Sequence, residues 1–297
     1  MIPGIDPLDL VDPARFARDG YPHAVWTRLR AEAPVAHLSP PGYRPFWAIT
    51  KHADIAQISS QPLRFSSAHG IILGSVDAVT VPSEMIVSLD PPRHGPMRRL
   101  TSRRFTRSSL RARHADIERI AVEILDEAAT GGALGECDFV ERIAAPLPIA
   151  VVAWILGLPR SDWGLLFRWT NEVIGAADPE FQRPGETPGQ TAKHARAELY
   201  AYFERLIEQR RSDPRDDLVS ELIRAEIDGK PLTEEQLLLY CELMVEAGNE
   251  TTRNAISGGL LAFCEHRGVY TGKTVMFPRN MFQYPGPRLS GIWIDGN

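Results

Sequence analysis

A long apolar run late in the chain, interrupted by one short polar step, constrains the fold most strongly. From Leu237 to Phe263, apolar residues occur on nearly every side of a predicted helix, which is typical of a buried helix. The polar step is Ala-Gly-Asn-Glu-Thr-Thr at residues 247–252. A glycine, a carboxylate and two hydroxyls buried in mid-helix cost stability unless they are satisfied or used. We therefore expect this step to carry function.

One side of this helix carries small or apolar residues, at spacings of three, four and seven from the first. They are Met244, Ala247, Gly248 and Thr251. This face predicts the close approach of a flat ligand, with a hydrogen bond from Thr251 and a proton supplied by Glu250. A threonine hydroxyl in mid-helix often bonds the carbonyl one turn earlier, which bends the helix. The alternative interpretation is a kinked core helix with a surface pair between Glu250 and Arg253.

Composition and charge restrict the class of protein. The chain has 297 residues, of which 43% are hydrophobic and 24% are charged, an ordinary composition for a globular protein of one or two domains. The formal net charge of -5 does not favour binding to nucleic acid or to an anionic membrane. No uninterrupted apolar run reaches the roughly 18 residues of a membrane span, and no signal peptide is evident. We therefore expect a cytoplasmic protein without a membrane span.

The cysteines predict neither a disulfide framework nor a zinc site. Cys137, Cys241 and Cys264 lie far apart, and no two have the spacing Cys-x-x-Cys. Cys241 and Cys264 lie in the apolar run, where they are most simply small buried hydrophobic residues.

Hydrophobic periodicity predicts a mainly helical chain with a small β element near the N-terminus. Two short strands are predicted at 35–38 and 46–50, on either side of a Pro/Gly turn. The predicted helices are 23–32, 52–59, 93–105, 112–129, 141–158, 161–174, 193–211, 216–226 and 234–266. A capping box formed by Thr233 and Gln236 marks the start of the last helix.

A second segment that carries chemistry, 89–106, is rich in arginine. Asp-Pro-Pro at 90–92 predicts a rigid lead-in to a helix, on which His94 and Arg98 share one face. Two such donors can clamp paired carboxylates, and arginine offers a bidentate fork. The same pattern also fits a basic helix that faces solvent. A nucleic-acid-binding helix is the third interpretation, which the acidic balance of the chain disfavours.

Five motifs follow one another along the chain. They are Pro34-Val35 with 46–50, Phe-Ser-Ser at 65–67, Asp-Pro-Pro-x-His-x-x-x-Arg at 90–98, Asp-Asp-Leu-Val-Ser at 216–220, and 247–252. In this order they resemble the cytochromes P450, which are haem-thiolate monooxygenases. The resemblance extends to about Arg267 and implies the N-terminal two-thirds of the cytochrome P450 fold, mainly α with a small N-terminal β element. Segments 137–148 and 249–254 are similar to actinobacterial members that hydroxylate sterol side chains and branched lipids.

The resemblance also implies roles for individual residues. Thr251 would hydrogen-bond the bound oxygen and Glu250 would supply protons, as the catalytic pair. The residues that would bind haem b are His94 and Arg98 at the propionates, Phe105 on the same helix, and Met244, Ala247 and Gly248 over the haem face. The residues that would line the substrate pocket are Ile71, Ile72, Leu73, Val76, Met85, Ile86 and Val87.

The apolar character of that pocket implies a hydrophobic small-molecule substrate, such as a sterol, a terpenoid or a branched lipid. The implied reaction is insertion of one oxygen atom from O2 into a C–H bond, a chemistry that the cofactor carries. Electrons would come from NAD(P)H through a ferredoxin and a ferredoxin reductase. No nucleic acid is implied as a partner.

The sequence departs from the family after the long apolar helix. A member would continue with a helix containing Glu-x-x-Arg and a loop resembling F-x-x-G-x-x-x-C-x-G, whose cysteine is the proximal iron ligand. Neither occurs here in that context, and none of the three cysteines lies in such a loop. Because thiolate ligation favours O–O cleavage, we expect no metal ligand from this chain and no catalysis by it as written.

We therefore expect a partial cytochrome P450 domain over 1–267, with the C-terminal haem-ligand lobe missing. Residues 268–297 are rich in glycine, proline and aromatic residues, and we expect an unrelated tail, frameshifted or disordered. The alternative is a non-catalytic truncated remnant, a helical module that binds an apolar ligand or a partner.

Overall fold

The computed structural model describes residues 4–71, 73, 84–130, 137–175, 178–265, 274–276 and 293–295. It divides into two compact units, Met1–Met97 and Arg98–Asn297. The chain is mainly helical with short two-stranded sheets, as the sequence predicted. Among the described helices, none combines the length and the hydropathy that crossing a bilayer requires.

The first unit contains the small N-terminal sheet. Its helices and strands are α1 (Pro13–Asp19), α2 (His23–Glu32), β1 (Val35–Leu38), β2 (Phe46–Ile49) and α3 (His52–Ser59), and α4 (His94–Ser102) begins here. β1 and β2 are antiparallel, with Val35 opposite Ile49. Alternate side chains of β1 are buried, as the two-residue period of a strand requires, and they pack with Ile5 and Leu29 in a small core.

The second unit is a helical assembly. Its helices are α5 (Arg107–Ala112), α6 (His114–Thr130), α7 (Pro146–Leu156), α8 (Trp163–Ile174), α9 (Pro188–Ser212), α10 (Leu218–Ile223) and α11 (Glu234–Glu265). Its strands form two antiparallel pairs, β3 (Glu226–Ile227) with β4 (Lys230–Pro231) and β5 (Thr274–Met276) with β6 (Trp293–Asp295).

Helix α7 lies at the centre of this unit and positions α11. It is apolar on all sides and packs against α6, α8 and α11. Pro146 begins it, and Gly157 ends it in the left-handed region at φ +79°, a conformation that glycine adopts without strain. Helix α11 packs against α7, α8 and α9, so the polar step at 247–252 belongs to a helix that is held from several sides.

Several predicted boundaries are corrected by local capping. Helix α9 begins at Pro188 rather than 193, because Thr187 and Gln190 form a capping box. The predicted helix 216–226 shortens to α10, since Asp217 caps it and a two-residue hairpin follows. Helix α1 was not predicted, although Asp12 caps it and Pro13 begins it.

Candidate functional site

Asp90 fixes the segment that leads into α4. Its carboxylate accepts hydrogen bonds from the Ser66 hydroxyl and from the Ser67 backbone N–H, the latter at 2.9 Å. These bonds, the Ser66 bond first, hold the pKa of Asp90 below its usual range. The Phe-Ser-Ser and Asp-Pro-Pro motifs are therefore joined in the first unit, directly before the helix that carries the proposed clamp.

Helix α4 presents its two predicted donors on the face that continues to Thr101. His94, Arg98 and Thr101 are spaced by four and three residues and share one side of the helix. The Thr101 hydroxyl is 2.6 Å from the hydroxyl of Tyr240 on α11. Burial raises the pKa of Tyr240, and the Thr101 hydrogen bond and the Arg98 charge oppose that shift. Arg98 therefore lies on the side of α4 that meets α11.

The guanidinium of Arg98 is exposed and makes no hydrogen bond or ion pair with a described residue, and the same holds for the ring of partly buried His94. Two other arginines of this segment form ion pairs instead. Arg93 pairs with Glu84, and buried Arg104 donates to Asp216 at 2.9 Å and to Glu221 at 2.6 Å. This pairing weakens the nucleic-acid interpretation, since fewer cations remain for phosphates.

Phe105 is not on the same helix as His94 and Arg98, so that prediction is wrong. Helix α4 ends at Ser102, whose hydroxyl bonds the Arg99 carbonyl. Thr106 then caps α5. Phe105 lies in the turn between the two helices, 40% exposed, because buried Arg104 and the new cap redirect the chain before another helical turn forms.

The open face of α11 carries the other half of the candidate site. Tyr240, Met244, Ala247 and Thr251 lie at intervals of four, three and four residues and so share one side. Ala247 and Thr251 are exposed, and Met244 is half-buried. Thr251 Oγ1 donates to the Ala247 carbonyl at 2.8 Å, the mid-helix bond that the sequence predicted. Because Tyr240 meets Thr101, this face and the clamp face of α4 converge.

Gly248 lies on a different side of α11 from Ala247, which corrects its predicted place on the open face. A Cβ at Gly248 would stand 2.5 Å from Cγ2 of Val152 on α7. Consecutive helical residues point about 100° apart, so the glycine allows two helices to approach closely while its neighbour faces outward.

A Gly248→Ala substitution is expected to lower the free energy of unfolding by about 1–3 kcal/mol, because the added methyl group overlaps Val152. Gly259→Ala on the same helix is the matched control, since a Cβ there meets nothing within 4 Å. It should raise stability by up to about 1 kcal/mol. Urea denaturation measures both, and equal effects of the two substitutions would refute the proposed packing.

Glu250 is held by neighbours on its own helix. Its Oε1 accepts from the Arg253 guanidinium and, at 3.4 Å, from the amide of Asn254. Arg253 also donates to Asn171 of α8 at 3.2 Å. Arg253 therefore links the Glu250–Arg253 pair to α8. The alternative interpretation had predicted a surface pair without such a link.

Sequence reasoning missed a buried acidic pair on another side of α11. The Glu242 carboxylate accepts from Arg196 at 2.5 Å and from the Tyr200 hydroxyl, both on α9. Glu246, one turn later, is largely buried, and burial together with Glu242 raises the pKa of Glu246 to about 7. The spacing of four between Glu242 and Glu246 was visible in the sequence. The partners of the two carboxylates on α9 were not.

The pKa of Glu246 in the folded protein lies above its usual value of 4.5, so the stability that its protonated form contributes is fully present below about pH 4.5. It is lost as the pH rises through about 7. Glu246→Gln should therefore stabilise the chain by about 1–3 kcal/mol at pH 8 and by less at pH 5. Urea midpoints of the variant, the wild type and the exposed control Glu235→Gln test this. A pH-independent difference would contradict the assignment.

The residues predicted to line the substrate pocket are only partly described. Ile71 and Leu73 are exposed at 61% and 39%. Met85, Ile86 and Val87 are half-buried, with Met85 at the start of the single 3-10 turn that contains the other two. Ile72 and Val76 lie outside the described residues. The pocket therefore stays a prediction.

The three cysteines differ in their surroundings. Cys241 is buried, and burial raises its thiol pKa to about 12, whereas Cys137 and Cys264 are exposed. Within the described ranges, no three histidine, cysteine or carboxylate side chains come together as a metal site would need.

An open cavity of 720 Å³ lies away from the candidate site. Its lining comes from the end of α7, from α9 and from 215–217, and it includes Trp154, Tyr202, Arg205 and Arg210. None of residues 247–252 lines it, so we place the candidate site on the open face of α11 instead.

Comparison with known proteins found similar chains among monooxygenases. The chain is 34% identical over 278 residues to a steroid C26-monooxygenase of Mycobacterium tuberculosis, covering 89% of this chain and 62% of that protein. It is 36% identical over 265 residues to a linalool 8-monooxygenase of Pseudomonas putida, covering 84% and 62%. The chain thus spans about 62% of the length of these curated relatives. No protein-family model matched.

Solved structures with the same fold are bacterial cytochromes P450. One, from Mycobacterium marinum in complex with pseudoionone, has a TM-score of 0.74 and 31% identity over 83% of this chain and 61% of that one. Another, CYP108D1 from Novosphingobium aromaticivorans, has a TM-score of 0.75 and 28% identity over 90% and 66%.

Proposed function

We infer that this chain belongs to the cytochrome P450 family and that it provides the distal half of a haem monooxygenase site. The observation that carries the proposal is the junction of two helix faces. The donor face of α4 and the open face of α11 converge where Thr101 meets Tyr240 at 2.6 Å. The face of α4 carries the Arg98 guanidinium, which pairs with no described residue, and the face of α11 carries the Thr251 hydroxyl.

The residues present fit a haem. Arg98 and His94 offer donors on one helix face that pair with none of the described carboxylates, which suits two propionates. Ala247 is small and exposed beside Thr251, which leaves room for a flat ring. Haem, when bound, supplies the activation of O2 for insertion of one oxygen atom into a C–H bond.

The side chains of this chain then have defined tasks. Arg98 and His94 would bind and orient the cofactor through charge-assisted hydrogen bonds. Thr251 keeps its hydroxyl on the open face through its bond to the Ala247 carbonyl and would offer a hydrogen-bond donor there. The carboxyl group of Glu250, one residue away and positioned by Arg253, would hold a proton. Phe105 and Met244 would add apolar contacts to the ring.

A hydrophobic substrate follows from the same comparison. The relatives are named for hydroxylation of steroids, linalool and methyl-branched lipids, and residues 71–87 are rich in aliphatic side chains. We propose a sterol, a terpenoid or a branched lipid as substrate. Electrons would come through a ferredoxin and its reductase in the cytoplasm.

Haemin titration of the full 297-residue chain tests this proposal. Arg98→Ala should weaken haemin binding roughly 10- to 100-fold, because a charge-assisted contact of about 1.5–3 kcal/mol is lost. Arg99→Ala, which removes a neighbouring exposed guanidinium from another side of α4, should leave the affinity unchanged. Equal weakening by both variants would refute the clamp. Absence of any haemin uptake would favour the alternative, a non-catalytic helical module.

A further inference from the structure

A stripe of polar residues follows one buried side of α11, away from the open face. Its members are Glu242, Glu246, Asn249 and Arg253, at intervals of four, three and four residues. We call these four residues the polar seam. Glu242 and Asn249 are fully buried, and the side chains of Glu246 and Arg253 are 20% and 14% exposed. Burying four polar residues in one row of an apolar helix requires partners for each.

The ends of the polar seam have partners from neighbouring helices. Arg196 and Tyr200 of α9 bond Glu242, and Asn171 of α8 accepts from Arg253 at 3.2 Å. Arg196 is 44% exposed, so this end reaches the surface. At the other end, Arg253 holds Glu250.

The middle of the polar seam contains three buried polar atoms without a hydrogen-bond partner. They are Oε1 of Glu246 and both Oδ1 and Nδ2 of Asn249, none of which bonds a described residue. The Arg196 guanidinium is 4.0 Å from Glu246 Oε1, beyond hydrogen-bond reach. The two residues are three apart, a rise of about 4.5 Å along the helix. Buried polar atoms this close together are ordinarily bridged by internal water.

We propose that the polar seam binds internal water between Glu246 and Asn249 and conducts protons from its Glu242 end, beside Arg196, to Glu250. The binding of water stands on the unpartnered atoms alone, whereas the direction of proton flow rests on the proposed function. Protonated Glu246 gives its proton to the bridging water, and that water passes a proton on to the Glu250 carboxylate. Glu246, then ionised beside Arg196, regains a proton from solvent through Glu242 and Tyr200. Asn249 orients the water and exchanges no proton.

The first experiment detects the water directly, without haem. In the full chain labelled with 15N-asparagine, the Asn249 side-chain amide should show a cross-relaxation peak to long-lived water. The Asn249→Leu variant assigns that peak by removing it. Asn171, which is buried but bonded directly by Arg253, is the internal control and should show none. No water peak at Asn249 would overturn the proposal.

The second experiment follows the carboxyl band of Glu246 in the infrared as the pH is changed, with Glu246→Gln to assign the band. Groups facing Glu246 are Arg196 and Tyr200 of α9 and Glu242 of its own helix. Asn249→Leu should raise the midpoint by about one pH unit or more, because water is excluded from the carboxylate. The exposed control Asn254→Leu should leave the midpoint unchanged. An unchanged midpoint in Asn249→Leu would overturn the proposal.

These outcomes are separable from those of the proposed function. A water-bridged polar seam in a chain that takes up no haemin would refute the proposed function and leave the water site standing. A polar seam without bound water, in a chain that binds haemin through Arg98, would refute the water site and leave the proposed function standing.

Discussion

Replacing Asp217 with alanine is expected to lower the free energy of unfolding by about 3–5 kcal/mol. Asp217 and Arg210 form an ion pair at 2.5 Å, and their side chains are only 3% and 2% exposed. Asp217 also accepts from the Ser220 backbone N–H at 2.7 Å and so caps α10. The substitution leaves the Arg210 charge buried with only a carbonyl, that of Gly157, and the Gln209 side chain as acceptors, and it removes the cap.

Asp213→Ala is the matched control for this ion pair. Asp213 pairs with Arg215 at 3.1 Å, but both side chains are more than half exposed, and such pairs contribute about 0–1 kcal/mol. Urea denaturation of the two variants should separate them by at least about 2 kcal/mol. If Asp217→Ala lowers the free energy of unfolding no more than Asp213→Ala does, the packing of α7, α9 and α10 does not depend on the buried pair.

In a longer protein that joins this chain to a haem-thiolate loop, replacing Thr251 with alanine is expected to uncouple electron use from product formation. The fraction of NAD(P)H that yields hydroxylated product should fall roughly 10-fold or more, because a positioned proton donor is lost. The rate of NAD(P)H consumption should change far less, since Thr251 is exposed and its loss disturbs little packing. Product and hydrogen peroxide are measured together against NAD(P)H oxidised.

Two variants act as controls for Thr251. Thr251→Ser keeps the hydroxyl and its bond to the Ala247 carbonyl, and it should retain most of the coupling. Thr252→Ala removes the neighbouring exposed hydroxyl, which points about 100° away, and it should resemble the wild type. Full coupling in Thr251→Ala, or equal loss in Thr252→Ala, would rule out the role assigned to Thr251.

Much of the fold could be predicted, because the buried faces of long helices appear in the sequence as a periodic pattern of apolar residues. Helix α11 was predicted to within one residue, since its apolar run and its Thr233 capping box are local signals. Short helices and helix breaks were missed, because contacts with residues distant in the sequence determine where these elements begin and end. The break between α4 and α5 depends on Arg104, whose partners lie more than 110 residues away in sequence.

The candidate site could be predicted only where the helical period alone determines which residues are in contact. The bond from Thr251 to Ala247 follows from a spacing of four. Spacing alone misplaced Gly248, because the approach of Val152 determines which side of α11 meets α7. It also gave no reason to bury Glu242, whose partners Arg196 and Tyr200 come from another helix.

The carbon monoxide difference spectrum of the full 297-residue chain, loaded with haemin and reduced, tests the central claim most directly. The claim is that this chain supplies the propionate clamp and the oxygen-facing helix. We expect no thiolate ligand from it, because none of its three cysteines lies in a loop resembling the ligand loop of the family. The claim predicts haem uptake with a Soret band unlike that of a thiolate-ligated haem. A thiolate-type band would mean that a cysteine of this chain reaches the iron, and absence of uptake would mean that the two helix faces do not bind haem; either result would contradict the claim.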